Sequence, residues 1–164
     1  MYLEHNWLLS DEQDMSGNAK STNSIDVTTF RDLGTGTPLY VHFLVTETFV
    51  ADDPGSPSFR IQLGYASNSS LSANYIPNVQ SEPYGPSDLT VGTQIWLPIA
   101  RWQQGRVNTP FAVGTQTTAK RTNSKYFGIN YFATDIASGK ITARLSLDQG
   151  SMMTTDYYPA STDT

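Results

Sequence analysis

Hydrophobic and polar residues alternate with a period of two along several stretches of this chain, which is typical of half-buried β-strands. Residues 39–49 give the clearest case, with His42 among the polar positions of the predicted outward face. Residues 58–66 repeat the pattern. The predicted inward positions of these two strands are Leu39, Val41, Phe43, Val45 and Phe49 in the first, and Phe59, Ile61, Leu63 and Tyr65 in the second.

Similar alternation predicts strands at 127–133 and 141–147, which we interpret as a β-hairpin that turns at 137–139. Weaker patterns predict shorter strands. These lie at residues 2–9, 24–27, 94–99 and 109–116. The chain has no helical period, so we expect an all-β fold, a single domain of seven or eight strands that form either a β-sandwich or a jelly roll.

Proline and glycine residues indicate where strands end and loops begin in this predicted domain. Pro98 predicts that its strand lies at a sheet edge or ends there, because proline cannot donate to a ladder. Residues 51–58 and 66–92 are predicted loops, and Tyr75, Ile76, Val79 and Tyr84 are expected to pack the longer one. We place the sandwich at 1–149 and predict an extended C-terminal arm at 150–164, where alternation stops.

Composition agrees with a core built by packing alone. A chain of 164 residues buries roughly 70% of its unfolded surface on folding, and it contains no cysteine for disulfides or thiolate metal sites. Thr, Ser, Asn, Gly and aromatic residues are abundant, and only 15% of residues are charged. The N-terminus reads as mature protein without a signal peptide, and no apolar run is long enough for a membrane helix, so we expect no membrane partner.

The charge is unevenly placed. The net charge of -5 argues against general nucleic-acid binding, which needs clustered positive charge. Residues 1–82 carry three basic and ten acidic side chains, whereas 83–164 carry seven basic and five acidic ones. The basic residues between 101 and 125 are either a solvated face or a patch that meets an acidic neighbour.

No motif predicts chemistry. His5 and His42 are the only histidines, and neither has further ligands at metal-binding spacing, so no metal or cofactor is expected. The acidic run at 10–14 lacks a calcium-loop pattern. Gly34-Thr35-Gly36-Thr37 is followed by a predicted strand and by no lysine, unlike a phosphate-binding loop. We therefore expect a protein that is not an enzyme.

Trp7, Trp96 and Trp102, with nine tyrosines, indicate either protein interfaces or platforms that stack on sugars. Trp96 alternates with Ile95 and Leu97 and is predicted to point away from them.

Residues 8–45 resemble the small capsid cement, or decoration, proteins of tailed bacteriophages. The resemblance is carried by Leu-Leu-Ser-Asp-x-Gln from residue 8, then Ser-Thr-Asn-Ser-Ile-Asp from 21, then Arg-Asp-Leu-Gly-x-Gly-x-Pro-Leu-Tyr-Val from 31. It implies a jelly-roll-like domain without enzymatic activity that forms oligomers, usually trimers. Such proteins sit on the outer surface of the virion and bridge neighbouring major capsid protein subunits.

On this interpretation the partners are the major capsid protein and copies of the chain itself. The protein would be made in the host cytoplasm. A carbohydrate-binding β-sandwich, either lectin-like or a receptor-binding module, is the alternative function. The candidate capsid or subunit contacts are Tyr2, Leu3 and Trp7 near the N-terminus, Arg101, Trp102 and Arg106 in the basic stretch, and Met152, Met153, Tyr157 and Tyr158 in the arm.

Overall fold

The computed structural model describes residues 7–27, 39–52, 55–99 and 125–146. Within these ranges nearly all regular structure is β, apart from a short 3-10 helix at Pro86–Asp88. The strands are β1 (Leu8–Asp14), β2 (Ala19–Lys20), β3 (Ile25–Asp26), β4 (Tyr40–Ala51), β5 (Ser58–Ala66), β6 (Ile76–Gln80), β7 (Gln94–Pro98), β8 (Tyr126–Thr134) and β9 (Ile136–Ser146).

The strands form two antiparallel sheets that face each other. One sheet has the order β1-β9-β4-β7, and the other has the order β2-β8-β5-β6. The short strand β3 also pairs with β8, beyond the end of β2 and along the same edge. Counting β2 and β3 as one interrupted strand, the chain passes from one sheet to the other between successive strands, except between β5 and β6, which pair within one sheet. This is the strand order of an eight-stranded jelly roll. The predicted jelly-roll-like sandwich is thus confirmed.

The core lies between the sheets and follows the predicted alternation. Every inward position predicted for β4 and β5 is buried, and β8 and β9 add further apolar side chains. The additions from β8 and β9 are Phe127, Ile129, Tyr131, Ile136, Ile141, Ala143 and Leu145. Ser10 of β1 and Tyr131 of β8 join the two sheets through a buried hydrogen bond of 2.8 Å between their hydroxyl groups. Pro98 ends the edge strand β7, as predicted.

The predicted β8–β9 hairpin is wrong. The chain does turn between these strands, at Asp135 with φ +53°, but β8 pairs with β5 while β9 pairs with β1 and β4. The turn therefore carries the chain from one sheet to the other. Gly139, part of the predicted turn, lies inside β9, where a Cβ would meet the ring of Phe49 at 2.3 Å.

The N-terminal strand and the long loop also differ from prediction. The first described strand is Leu8–Asp14 and not 2–9, of which residues 2–6 lie outside the described residues. The predicted loop at 66–92 contains β6 and the 3-10 helix. Its expected packing is confirmed for Ile76, which is buried, and for Val79 and Tyr84, which are partly buried against the core cluster. The weak strand predicted at 109–116 lies outside the described residues.

The loop between β5 and β6 folds back over the outer face of its sheet. Leu71 is 1% exposed and packs on Gly128, where a Cβ would approach the Leu71 side chain to 2.3 Å. Tyr75 covers Gly64, which lies directly opposite Gly128, and its hydroxyl donates to the carbonyl of Gln62 at 2.9 Å. The two glycines make room for this loop, because any side chain there would occupy the space of Leu71 and Tyr75.

Candidate interaction surface

One end of the sandwich is where the longest stretches of chain outside the described residues attach. Segments 1–6, 28–38, 100–124 and 147–164 all join strands at this end, which we call the junction end. It is defined by the described residues that flank those segments. These residues are Trp7, Val27, Leu39, Ile99, Lys125 and Ser146.

Backbone hydrogen bonds show that these residues are neighbours in space. The amide of Ile99 donates to the carbonyl of Leu39 at 2.8 Å, and the amide of Val27 donates to the carbonyl of Lys125 at 2.8 Å. In the other direction across the sheet, Ser146 lies opposite Tyr40, the first residue of β4. The four segments therefore leave from adjacent strands of both sheets.

The attachment points are held by the core. Val27, Leu39 and Ile99 belong to the core cluster, and Ser146 is buried. Neighbouring strands lie about 4.8 Å apart and packed sheets about 10 Å apart. Because the flanking residues lie on at most four neighbouring strands of two packed sheets, all of them are within roughly 20 Å of each other. The segments that follow start from fixed and closely spaced positions.

The predicted contact residues divide between this end and the segments attached to it. Trp7 is described: it is partly buried and packs against the core cluster. The remaining predicted contacts lie outside the described residues, but all of them fall in three segments that join the junction end. Those residues are Tyr2, Leu3, Arg101, Trp102, Arg106, Met152, Met153, Tyr157 and Tyr158.

An aromatic pair lies on the outer face of the four-stranded sheet. Trp96 points away from Ile95 and Leu97, as predicted, and its ring lies 4.2 Å from that of His42, centroid to centroid. The predicted exposure of His42 is wrong, because this residue is 1% exposed. Alternation correctly placed His42 away from the core, but the side chain opposite it came from a strand that sequence alone does not pair with β4.

A family model named Bbp16 matches residues 9–145, from β1 to β9. The chain belongs to the Bbp16 family. The matched range includes residues of every strand of both sheets and two of the segments attached at the junction end, 28–38 and 100–124. No curated protein matches this chain.

The described part of this Bbp16-family chain offers little concentrated charge. Lys140 and Glu47 form an exposed ion pair of 3.0 Å across β9 and β4. Ser16 donates its backbone amide to Asp14 at 2.7 Å, and this bond lowers the pKa of that carboxyl. Lys125 is exposed at the junction end, while the other basic residues of the 101–125 stretch lie outside the described residues.

The described residues of this family member hold neither a metal cluster nor a membrane-crossing helix. No group of three or more His, Asp or Glu side chains in ranges 7–27, 39–52, 55–99 and 125–146 is placed to hold a metal ion. Within the same ranges no helix has the length and apolar character to cross a membrane.

Proposed function

We propose that this protein is a capsid cement, or decoration, protein of a tailed bacteriophage. It binds the outer surface of the capsid, bridges neighbouring major capsid protein subunits and stabilises the expanded shell. Its site of action is the outside of the virion, and it works through adhesive surface without an enzymatic step.

The observation that carries the proposal is the agreement between resemblance and topology. Residues 8–45 resemble cement proteins, and that resemblance by itself implies a jelly-roll-like domain. The same residues supply β1, β2, β3 and the start of β4, and thus parts of both sheets. The order of the described strands is that of a jelly roll.

The proposed mechanism is selective binding. A protein that binds the expanded shell and not its precursor stabilises the expanded state by its binding free energy. Many copies on a repeating lattice then multiply modest contacts, because each bound copy helps to hold the neighbouring capsomers in place. The contact residues in this proposal are the predicted set in segments 1–6, 100–124 and 147–164, together with Trp7.

We further propose that the chain acts as a homotrimer. The acidic first half and the basic stretch at 101–125 can meet head to tail, and such contacts close a ring. Light scattering at micromolar concentration and low salt is expected to give a trimer mass. A monomer under these conditions would contradict this part of the proposal.

Cosedimentation tests the central function. Purified protein is mixed with expanded shells and, as the matched control, with unexpanded shells of the same phage. We expect saturable binding to expanded shells and little to the control. A glycan array tests the alternative suggested by the tryptophans: selective sugar binding combined with no shell binding would replace the cement function by a carbohydrate-binding one.

A further inference from the structure

We infer that the outer side of the sheet formed by β2, β3, β5, β6 and β8 carries a binding site for an oligosaccharide with carboxylate groups. This site adds a binding activity to the proposed function and does not depend on it. The site is the part of the sheet face that the β5–β6 loop leaves open, which we call the open half-face. Its central side chains are those of Lys20, Arg60, Gln62, Gln80, Asn130 and Phe132.

Strand alternation and register bring these residues to one face. The neighbours of Gln62 and Asn130 along their strands are buried in the core, so both amide side chains point outward, as do Arg60 and Phe132. Arg60 lies directly opposite Phe132, and Gln62 lies opposite Asn130 on one side and Gln80 on the other. The side chains therefore form two adjacent rows across β8, β5 and β6.

The β5–β6 loop forms a wall along one side of the open half-face. Its residues Leu71 and Tyr75 lie on the two glycines of the next row of the sheet. Lys20, which lies opposite Asn130 on β2, donates from Nζ to the carbonyl of Leu71 at 2.8 Å. Because an ammonium group has three donors, this bond still leaves donors for a ligand at the foot of the wall.

The size of the open half-face fits a few sugar rings better than a protein. From the row of Gln62 and Asn130 to the last row, Ser58 and Thr134, it measures about 14 Å along the strands and up to about 14 Å across them, or about 200 Å². A stable protein interface covers about 800 Å² on each partner. The wall keeps a flat partner from extending its contact over the rest of the sheet.

The side chains match the chemistry of a sugar. Phe132 is 39% exposed, and its ring offers apolar surface to the side of a pyranose ring that presents C–H groups. Gln62 donates from Nε2 to Oε1 of Gln80 at 3.1 Å, which leaves Oε1 of Gln62 as an acceptor and Nε2 of Gln80 as a donor for hydroxyl groups. Oδ1 of Asn130 is buried without a partner among the described residues, and because its terminal torsion is soft, the carboxamide can turn to accept from a ligand.

Charge favours an acidic sugar over a neutral one. Arg60 is exposed and forms no ion pair with any carboxylate in the described part of the chain. Its planar fork matches the geometry of a carboxylate. None of the outward strand positions on the open half-face is acidic, and Glu82 lies beyond the end of β6. On a chain with a net charge of -5, this face is a cationic spot that complements an anionic ligand.

Calorimetric titration of matched ligands and variants tests the site. The probes are oligosaccharides of galacturonic acid and of N-acetylneuraminic acid, and their neutral methyl esters are the control ligands. The site variants are Arg60→Gln and Phe132→Ala. The control variants are Lys140→Gln, which also removes one exposed positive charge, and Val91→Ala, which also shortens an exposed apolar side chain; both lie away from the open half-face. Melting curves establish that all four variants fold.

We expect at least one acidic oligosaccharide to bind saturably, and its ester to bind about tenfold or more weakly, because the ester lacks the charge that Arg60 pairs with. Arg60→Gln and Phe132→Ala should each weaken binding by about tenfold or more. The control variants should change it by less than about twofold, since distant exposed charges are screened.

The site would be overturned if neither acidic oligosaccharide bound, if the esters bound equally well, or if the site variants lost no more affinity than the controls. Cosedimentation of the same variants with expanded shells separates this result from the proposed function. Loss of shell binding in Arg60→Gln, with no sugar binding by the unmodified protein, would make the open half-face a protein contact instead. Binding of acidic sugars without binding of shells would keep this site and remove the cement function.

Discussion

His42 on β4 and Trp96 on β7 lie directly opposite each other, with their ring centroids 4.2 Å apart. Nε2 of His42 lies 2.9 Å from Oε1 of Gln94, and because an amide oxygen only accepts, the imidazole donates this bond. Burial lowers the pKa of His42 from its ordinary 6.5, and the nearby Arg144 charge acts in the same direction, while the Gln94 bond opposes them. The folded protein thus favours a neutral imidazole.

The first prediction concerns the pH dependence of stability. Between the lowered pKa of His42 and 6.5 the unfolded chain binds more protons than the folded one, so the free energy of unfolding falls as the pH drops below 6.5. Urea denaturation between about pH 5 and 7 should show this decline, and His42→Gln should flatten it. His5 is present in both proteins and so cancels in the comparison. An equally steep decline in the variant would assign the effect to another group.

The second prediction tests the packing of the β5–β6 loop on its sheet. Leu71→Ala should lower the free energy of unfolding by about 2–5 kcal/mol through the cavity it leaves. Gly128→Ala should lower it by about 1–3 kcal/mol, because the new Cβ must displace the Leu71 side chain. The loss of unfolding free energy in the double variant should be smaller than the sum of the two single losses by about 1 kcal/mol or more, because shortening Leu71 relieves the clash with the new Cβ.

Gly17→Ala is the matched control for that cycle. Gly17 is exposed and a Cβ there would meet nothing within 4 Å, so chemical denaturation should show a change within about 0.5 kcal/mol. Simple additivity of Leu71→Ala and Gly128→Ala would mean that the two residues do not share the contact described above.

Much of the sandwich could be predicted because its strands alternate. The bounds of β5 and the inward residues of β4 follow directly from a period of two. The sheet that a strand joins is a different matter: the alternating patterns of β8 and β9 are equally clear, yet the two strands lie in different sheets. A local pattern does not contain that information.

The burial of residues outside the core was hardest to predict. His42 is covered partly by Trp96, which follows it by 54 positions, and Leu71 is buried because Gly128 lies opposite Gly64. Both cases depend on strand pairings that are distant in sequence. The junction end could not be predicted for the same reason, since the proximity of its flanking residues depends on strand pairings between distant parts of the sequence.

The third prediction concerns the hydrogen bond that joins the two sheets. Ser10→Ala leaves the Tyr131 hydroxyl buried without its partner, and Tyr131→Phe does the same to the Ser10 hydroxyl, so each should cost about 1–3 kcal/mol. The double variant removes both polar groups and should cost clearly less than the sum. Thermal or urea denaturation of the unmodified protein, the two single variants and the double variant gives the coupling free energy between the two hydroxyl groups. Strictly additive losses would show that the bond contributes no specific stability.

The fourth prediction separates the arm from the fold. Deleting residues 150–164 should weaken binding to expanded shells, because it removes Met152, Met153, Tyr157 and Tyr158. The melting temperature of the free protein should stay almost unchanged, since the described strands 7–27, 39–52, 55–99 and 125–146 already enclose a buried core between the two sheets. Binding isotherms and a melting curve on the same preparation provide the measurement. A truncated protein that decorates shells as tightly as the full chain would make the arm irrelevant to binding.

The central claim is that the protein stabilises an expanded shell by binding it, and the thermal stability of that shell tests this most directly. Expanded shells lacking the protein are titrated with it, and their disassembly temperature is followed by scanning calorimetry. Selective binding predicts that this temperature rises with the free protein concentration, at first steeply and then logarithmically. A shell that is fully decorated and yet disassembles at the same temperature as the bare one would contradict the account.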